Sequence, residues 1–228
     1  MYRIGILAGM GPRSTTPFLN AVLDECERQY GAQFDIDYPH MLIYSLPTPF
    51  FMDRPIVKQD MLETLEIGIE ALTRADSAVI AVPCNSVHAY YHEMSAMTAI
   101  PILHIAEETI AQLTTSTNTV GLLGTRTTIE SGLYQDRLFQ HGKKIFWTED
   151  FQRQVDQLLR EVKQNGVAPS TLSLWRNIET LLIGQGIDQV ISGCTDLYFC
   201  IEHSRLNVLD SSRALASSLV ARYVREAL

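Results

Sequence analysis

The chain reads as an α/β protein of two pseudo-symmetric lobes. Each is expected to be a mostly parallel sheet flanked by helices, with a functional cleft between the two. Short apolar strands alternate with helix-length stretches over all 228 residues, the pattern of parallel sheets covered by helices. Three strand-ending phrases also recur in the same order. YRIGILAGMGPRSTT is echoed by TVGLLGTRTTIESG (Gly5 against Gly121), AVIAVPCNSVH by QVISGCTDLY (Cys84 against Cys194), and IPILHIAEE by LNVLDSSRA (Ile100 against Leu206). The offsets of 116, 110 and 106 residues are too long for a solenoid and mark two similar halves.

Taken in order, strands are predicted near 3–8, 41–46, 78–82, 101–104, 119–123, 144–148, 188–192 and 207–209. Helices are predicted over 14–30, 56–75, 86–97, 105–114, 128–141, 150–165, 170–186 and 211–227. Turn chemistry supports the joints. Pro12 follows Gly11 at the first strand-to-helix turn, Pro47 and Pro49 follow the second strand, Pro101 opens the fourth, and Asn165-Gly166 stops a helix. The last helix carries Leu215, Leu219, Val220, Tyr223 and Val224 on one face at helical spacing. The expected lobes are 1–104 and 105–210, with the C-terminal helix 211–228 packing back on the first. The chain would cross between lobes at the strand ends His104 and Asp210.

Composition narrows the function. Hydrophobic residues make up 46% of the chain and mean hydropathy is +0.02, ordinary for a protein that buries a real core. No apolar run approaches a membrane span. Met-Tyr-Arg leads straight into a strand, so neither a secretory signal nor a membrane association is expected, and the expected compartment is the cytoplasm. A net charge of −8, with no Lys/Arg cluster longer than two adjacent residues, argues against nucleic acid, which needs a basic stripe. The four cysteines, Cys26, Cys84, Cys194 and Cys200, fit neither a disulfide framework nor zinc spacing, so no metal is expected.

Cys84 and Cys194 are the candidate catalytic residues. Each follows a β-branched run at a predicted strand C-terminus, where open α/β sheets bind ligands. Each also begins a predicted helix, whose N-terminal dipole lowers a thiol pKa from about 8.5 toward neutrality. A free cysteine is often just a small buried hydrophobe, but one strand-ending thiol per half suggests two thiols converging on one site. That is what a racemase without a cofactor needs: a thiolate to take a proton and a thiol to return one. Cys26, inside a helix, and Cys200 read as structural.

Around them stand polar candidates. Asn85 and Ser86 follow Cys84, and Thr195 follows Cys194, as substrate-binding donors. His88, at i+4 from Cys84, shares its helix face and could favour thiolate, although many such histidines only cap or pack. Asp196 could orient a hydroxyl, or could simply complement a helix dipole. The Gly9–Gly11 loop lacks both the G-x-G-x-x-G and the Gly-Lys-Ser/Thr signatures. What remains is a strand-turn-helix with backbone N–H groups able to hold a carboxylate. Met10 in that loop and Thr125 in its second-half counterpart are placed on the substrate. Arg54, in a proline-rich loop, and Lys163, closing a helix, are cations that could clamp a carboxylate or merely face solvent and the helix dipole.

At these residues the chain resembles the cofactor-independent aspartate/glutamate racemase family over nearly its whole length, and most of all the aspartate racemases. The family's GILGGMGP-type loop is GILAGMGP here, with Ala8 for a glycine. Its PCNTAH phrase is PCNSVH at Pro83–His88, and its GCTE is GCTD at Gly193–Asp196, a carboxylate one methylene shorter. Its PDR triplet is Met52-Asp53-Arg54. The resemblance implies two pseudo-symmetric lobes with the site between them, no cofactor, an acidic amino-acid substrate gripped by Arg54 and Lys163, and, by the family's habit, a homodimer. The reaction implied is interconversion of L- and D-aspartate, with glutamate second, by proton transfer at Cα between Cys84 and Cys194. Within the superfamily, a hydantoin racemase or a maleate isomerase is the alternative, the latter also using two cysteines and a diacid. Outside it, a small-acid binder or thiol sensor would use the same residues.

Overall fold

The computed structural model describes residues 1–51, 54–113, 118–200 and 202–228, with the backbone alone at Cys200. Expectations at Met52, Asp53, Thr114 and the Cys200 side chain lie outside the described residues. The chain forms two compact units, Met1–Ile105 with Leu215–Leu228, and Ala106–Ala214.

In the first unit, β1 (Arg3–Ala8) is central and pairs in parallel with β2 (His40–Ser45) and β3 (Val79–Ala81). The order β2-β1-β3 is extended by one parallel bridge between Ile80 and Ile102. The predicted strand 101–104 is therefore reduced to that bridge. Pro101 has no N–H to give a ladder, and Ile105 already starts α4 (Ile105–Ile110). β1 is buried at every position after Arg3, as expected for a parallel strand covered on both faces. α1 (Thr15–Tyr30), α2 (Lys58–Arg74) and α3 (Tyr91–Ala96) belong to this unit. The core beneath them includes Leu7, Leu65, Ile69, Ile80, Val82 and Met94. The C-terminal helix α9 (Ser211–Ala227) reaches back to it. Gln29 Nε2 donates to the Ser217 carbonyl at 2.8 Å, and the rings of Tyr2 and Tyr30 meet Tyr223 at 5.8 and 6.0 Å.

The second unit repeats the plan. β4 (Thr119–Gly124), β5 (Lys144–Phe146), β6 (Gln189–Gly193) and β7 (Asn207–Asp210) run parallel in the order β5-β4-β6-β7. The predicted helix 128–141 is two short helices, α5 (Arg126–Glu130) and α6 (Gln135–Gln140). The break lies at Gly132, whose φ of +70° is a left-handed stop that favours glycine. α7 (Glu149–Asn165) and α8 (Pro169–Gly184) pack on the sheet around Trp175, Phe151, Val155, Leu158 and Leu182. Thr148 caps α7 by accepting from the Phe151 N–H at 3.1 Å.

Asp210, at the end of β7, is buried, and its carboxylate accepts the Ser212 N–H at 2.7 Å, capping α9. Burial pushes its pKa up to about 6, against the pull of that hydrogen bond and of Arg213. A carboxyl raised on folding contributes stability that is present below the unfolded pKa, near 4, and is lost as pH rises through about 6. Asp210→Asn, still able to cap, is expected to remove that loss. The difference in urea-unfolding free energy between variant and native chain should grow in the variant's favour from pH 4 to pH 7, by on the order of 2 kcal/mol. A difference that stays flat over this range would show that the carboxyl titrates alike in both states.

Candidate active site

In the first unit β1 ends at Ala8 and the chain turns at Gly9, with φ of +92°. The turn passes through a short 3-10 segment, Pro12–Ser14, into α1. The expectation of backbone N–H groups standing open here is corrected at Gly9, whose N–H donates to the Thr15 hydroxyl at 3.2 Å. The Ser14 hydroxyl donates to the Gly11 carbonyl at 2.8 Å. The Met10 side chain is 7% exposed and belongs to the hydrophobic core of the unit.

Ile6 pairs with Ala81, three residues before Cys84. Cys84 is half-buried, outside any disulfide, and packed against the core. Its N–H donates to the Val82 carbonyl at 2.8 Å. The predicted helix 86–97 is split into a 3-10 turn, Ser86–Tyr90, and α3. The helix dipole expected at Cys84 therefore comes from a single short turn. Asn85, Ser86 and His88 are all buried. His88 lies between two carbonyls: Nδ1 is 2.9 Å from the Cys84 oxygen and Nε2 is 3.3 Å from the Leu103 oxygen. His104, also buried, meets the His88 ring edge-on at 5.4 Å. Tyr91 stacks on His88 at 6.0 Å and donates its hydroxyl to the Ile102 carbonyl at 3.0 Å. Arg54 is exposed, its guanidinium 3.7 Å from the centroid of the Phe51 ring, a cation–π contact.

In the second unit Gly124 pairs with Gly193, so Thr125 and Cys194 leave adjacent strands side by side. The Thr125 hydroxyl accepts from the Thr128 N–H at 3.2 Å, capping α5. Cys194 is half-buried and outside any disulfide. A 3-10 segment follows, Thr195–Cys200, interrupted by non-helical dihedrals at Leu197, so here too the dipole is that of about one turn. Thr195 and Asp196 are buried. Lys163, in the last turn of α7, donates to the Asp196 carboxylate at 2.6 Å. The Ser192 and Ser211 hydroxyls support the strand end, the second donating to the Ser192 carbonyl at 2.8 Å.

The fold thus joins Cys84 with His88, Lys163 with Asp196, and Thr125 with the strand that delivers Cys194. It leaves Arg54 on the surface of its loop. Residues that the sequence reading passed over are Tyr91, the Leu103 carbonyl and the side chain of His104. The signal for His104 lay in the repeat, which ends matching strands at His104 and Asp210. Among the described residues no group of three or more His, Cys, Asp or Glu side chains could hold a metal ion, and no helix is long and apolar enough to cross a membrane.

The chain is similar to known proteins over nearly its full length. It is 43% identical over 223 residues to the broad specificity amino-acid racemase RacX of Bacillus subtilis, covering 97% of this chain and 98% of that one. The solved aspartate racemase of Picrophilus torridus superposes with a TM-score of 0.79 at 23% identity, covering 97% of this chain and 94% of that chain. A solved aspartate racemase homologue from Pyrococcus horikoshii gives 0.76 at 25% identity, over 98% of this chain and 100% of that chain. The family model described as Asp/Glu/Hydantoin racemase matches residues 7–219. With twin parallel sheets, each ending in a half-buried cysteine, the chain belongs to the Asp/Glu/hydantoin racemase family and is an isomerase.

Proposed function

We propose that the chain racemises an acidic amino acid, aspartate first and glutamate second, by a two-base mechanism without cofactor. The observation that carries this reading is the pair of equivalent thiols. Cys84 and Cys194 each follow the same strand of the same sheet order, half-buried and outside any disulfide. In this mechanism one thiolate removes the Cα proton and the opposite thiol delivers a proton to the other face. A Cα proton is weakly acidic, so its removal needs donors aimed at the carboxylate where negative charge develops. Asn85, Ser86 and Thr195, buried beside the cysteines, supply hydrogen-bonding groups at both strand ends, with Thr125 beside Cys194. Arg54 and Lys163 are the cations assigned to the substrate's carboxylates, and reduced thiols fit a cytoplasmic setting. The test is polarimetry of L- and D-aspartate with EDTA present and no added pyridoxal phosphate. Absence of any rotation change with aspartate, glutamate and further amino acids at high enzyme concentration would refute it.

A second reading, racemisation of a wider range of amino acids, is favoured by one contact. The Lys163 ammonium is already matched by the Asp196 carboxylate at 2.6 Å, so its charge is not wholly available to a substrate. The broad specificity of the 43% identical relative agrees. Lys163→Met separates the two. If Lys163 holds the distal carboxylate, KM for aspartate should rise roughly tenfold or more, the loss of a charge-assisted hydrogen bond of about 1.5–3 kcal/mol. An unchanged KM, together with comparable turnover of neutral amino acids by the native chain, would establish the wider range instead.

A further inference from the structure

The ring of His88 faces an acceptor at each nitrogen, Cys84 O at 2.9 Å and Leu103 O at 3.3 Å. A carbonyl oxygen can only accept, so both contacts are hydrogen bonds only if both ring nitrogens carry protons. A neutral ring would turn a nitrogen lone pair onto a carbonyl oxygen inside the protein, where an unmade hydrogen bond is costly. Burial by itself disfavours a charged imidazole, while hydrogen bonds to the charged form favour it. Here two of the latter are built in. The groups facing the ring include Cys84 on its own turn, Tyr91 stacked on it at 6.0 Å, and His104 edge-on at 5.4 Å from the segment after Ile102.

We propose that His88 is a positioning residue held as an imidazolium beneath Cys84, so that Cys84 is the thiolate of the resting enzyme. In the second unit no histidine stands at the corresponding place. The position four residues after Cys194 is Tyr198, 40% exposed, and the first turn there carries the Asp196 carboxylate, bound to Lys163. A fixed cation held on the Cys84 carbonyl lowers the pKa of that residue's own thiol. The two cysteines are then unequal at rest: from the enantiomer whose Cα hydrogen faces it, Cys84 takes the proton, its sulfur becoming a thiol, while Cys194 gives up its thiol proton to the opposite face and becomes the thiolate. Proton exchange with water restores the resting form. This assignment rests on the two-thiol reading of the site.

The test is the pH dependence of alkylation by iodoacetamide, read peptide by peptide by mass spectrometry. In the native protein Cys84 should become reactive at lower pH than Cys194. His88→Asn keeps an amide donor near the Cys84 carbonyl without the charge, and His88→Gln removes the charge with a longer side chain. In either variant the Cys84 profile should move up by about one pH unit or more, with reactivity at pH 7 falling roughly tenfold. The Cys194 profile should stay in place. A Cys84 profile unmoved in a folded variant, or one lying above that of Cys194 in the native protein, would overturn the proposal. If neither variant folds, nitrogen-15 NMR of the native protein decides: protons on both His88 nitrogens at pH 7 support it, and one bare nitrogen refutes it. Alkylation does not depend on turnover. A shifted profile with no racemisation would therefore count against the proposed reaction, and intact racemisation with an unshifted profile against His88 alone.

Discussion

Cys84→Ser and Cys194→Ser are each expected to cut racemisation of both enantiomers by about 10²–10⁴-fold, the usual contribution of a general acid–base group. Serine nearly matches cysteine in shape, but its hydroxyl is far too weak an acid to stand as the base. In a two-base mechanism each thiol serves one face of Cα, so neither variant can complete an inversion efficiently. Each can still remove and return a proton on the face its remaining thiol reaches. In heavy water one variant should therefore exchange the Cα hydrogen of L-aspartate preferentially, and the other that of D-aspartate, both without matching racemisation. Proton NMR of the Cα signal beside chiral chromatography reads both quantities. Near-normal racemisation by either variant would remove that cysteine from the mechanism and the two-thiol reading with it.

Gly9→Ala is expected to destabilise the first unit by about 3 kcal/mol or more, the range of a strained backbone combined with overpacking. Gly9 has φ of +92°, and a Cβ there would stand 2.7 Å from the Leu46 nitrogen and 2.9 Å from its oxygen. Those are backbone atoms at the end of β2, where the Leu46 N–H donates to the Ala8 carbonyl at 2.9 Å. They cannot swing aside as a side chain can. The added methyl would thus part β1 from β2 at the turn that leads into α1. Urea unfolding followed by far-UV circular dichroism measures the effect. Tryptophan fluorescence is the wrong probe for this unit, since Trp147 and Trp175 both lie in the second. An unchanged midpoint would mean the turn relaxes at no cost, and the geometry offered for Gly9 would be wrong.

Local pattern carried a great deal. β1 and α9 run where periodicity and turn residues put them, Arg3–Ala8 and Ser211–Ala227, because a buried parallel strand and an amphipathic helix write their period into consecutive residues. The failures are also local in cause. Pro101 reads as a strand opener but leaves a single bridge at Ile102. The stretch 128–141 has a helical composition that does not reveal the left-handed stop at Gly132. At Ser86–Tyr90 a predicted helix winds as a 3-10 turn, with buried Asn85, Ser86 and His88 where a regular amphipathic helix would expose polar groups.

The sequence by itself determined that there are two strand-ending cysteines in matching contexts, and so where chemistry could occur in each half. It could not determine what each thiol has beside it. His88 reaches the Leu103 carbonyl across 15 positions and Lys163 reaches Asp196 across 33, and neither contact follows a helical or strand period. Only the tertiary fold set an imidazole between two carbonyls under Cys84 and an ion pair two residues beyond Cys194. The reason is physical: buried polar groups must find partners wherever packing brings them, and packing joins strand ends that are distant along the chain.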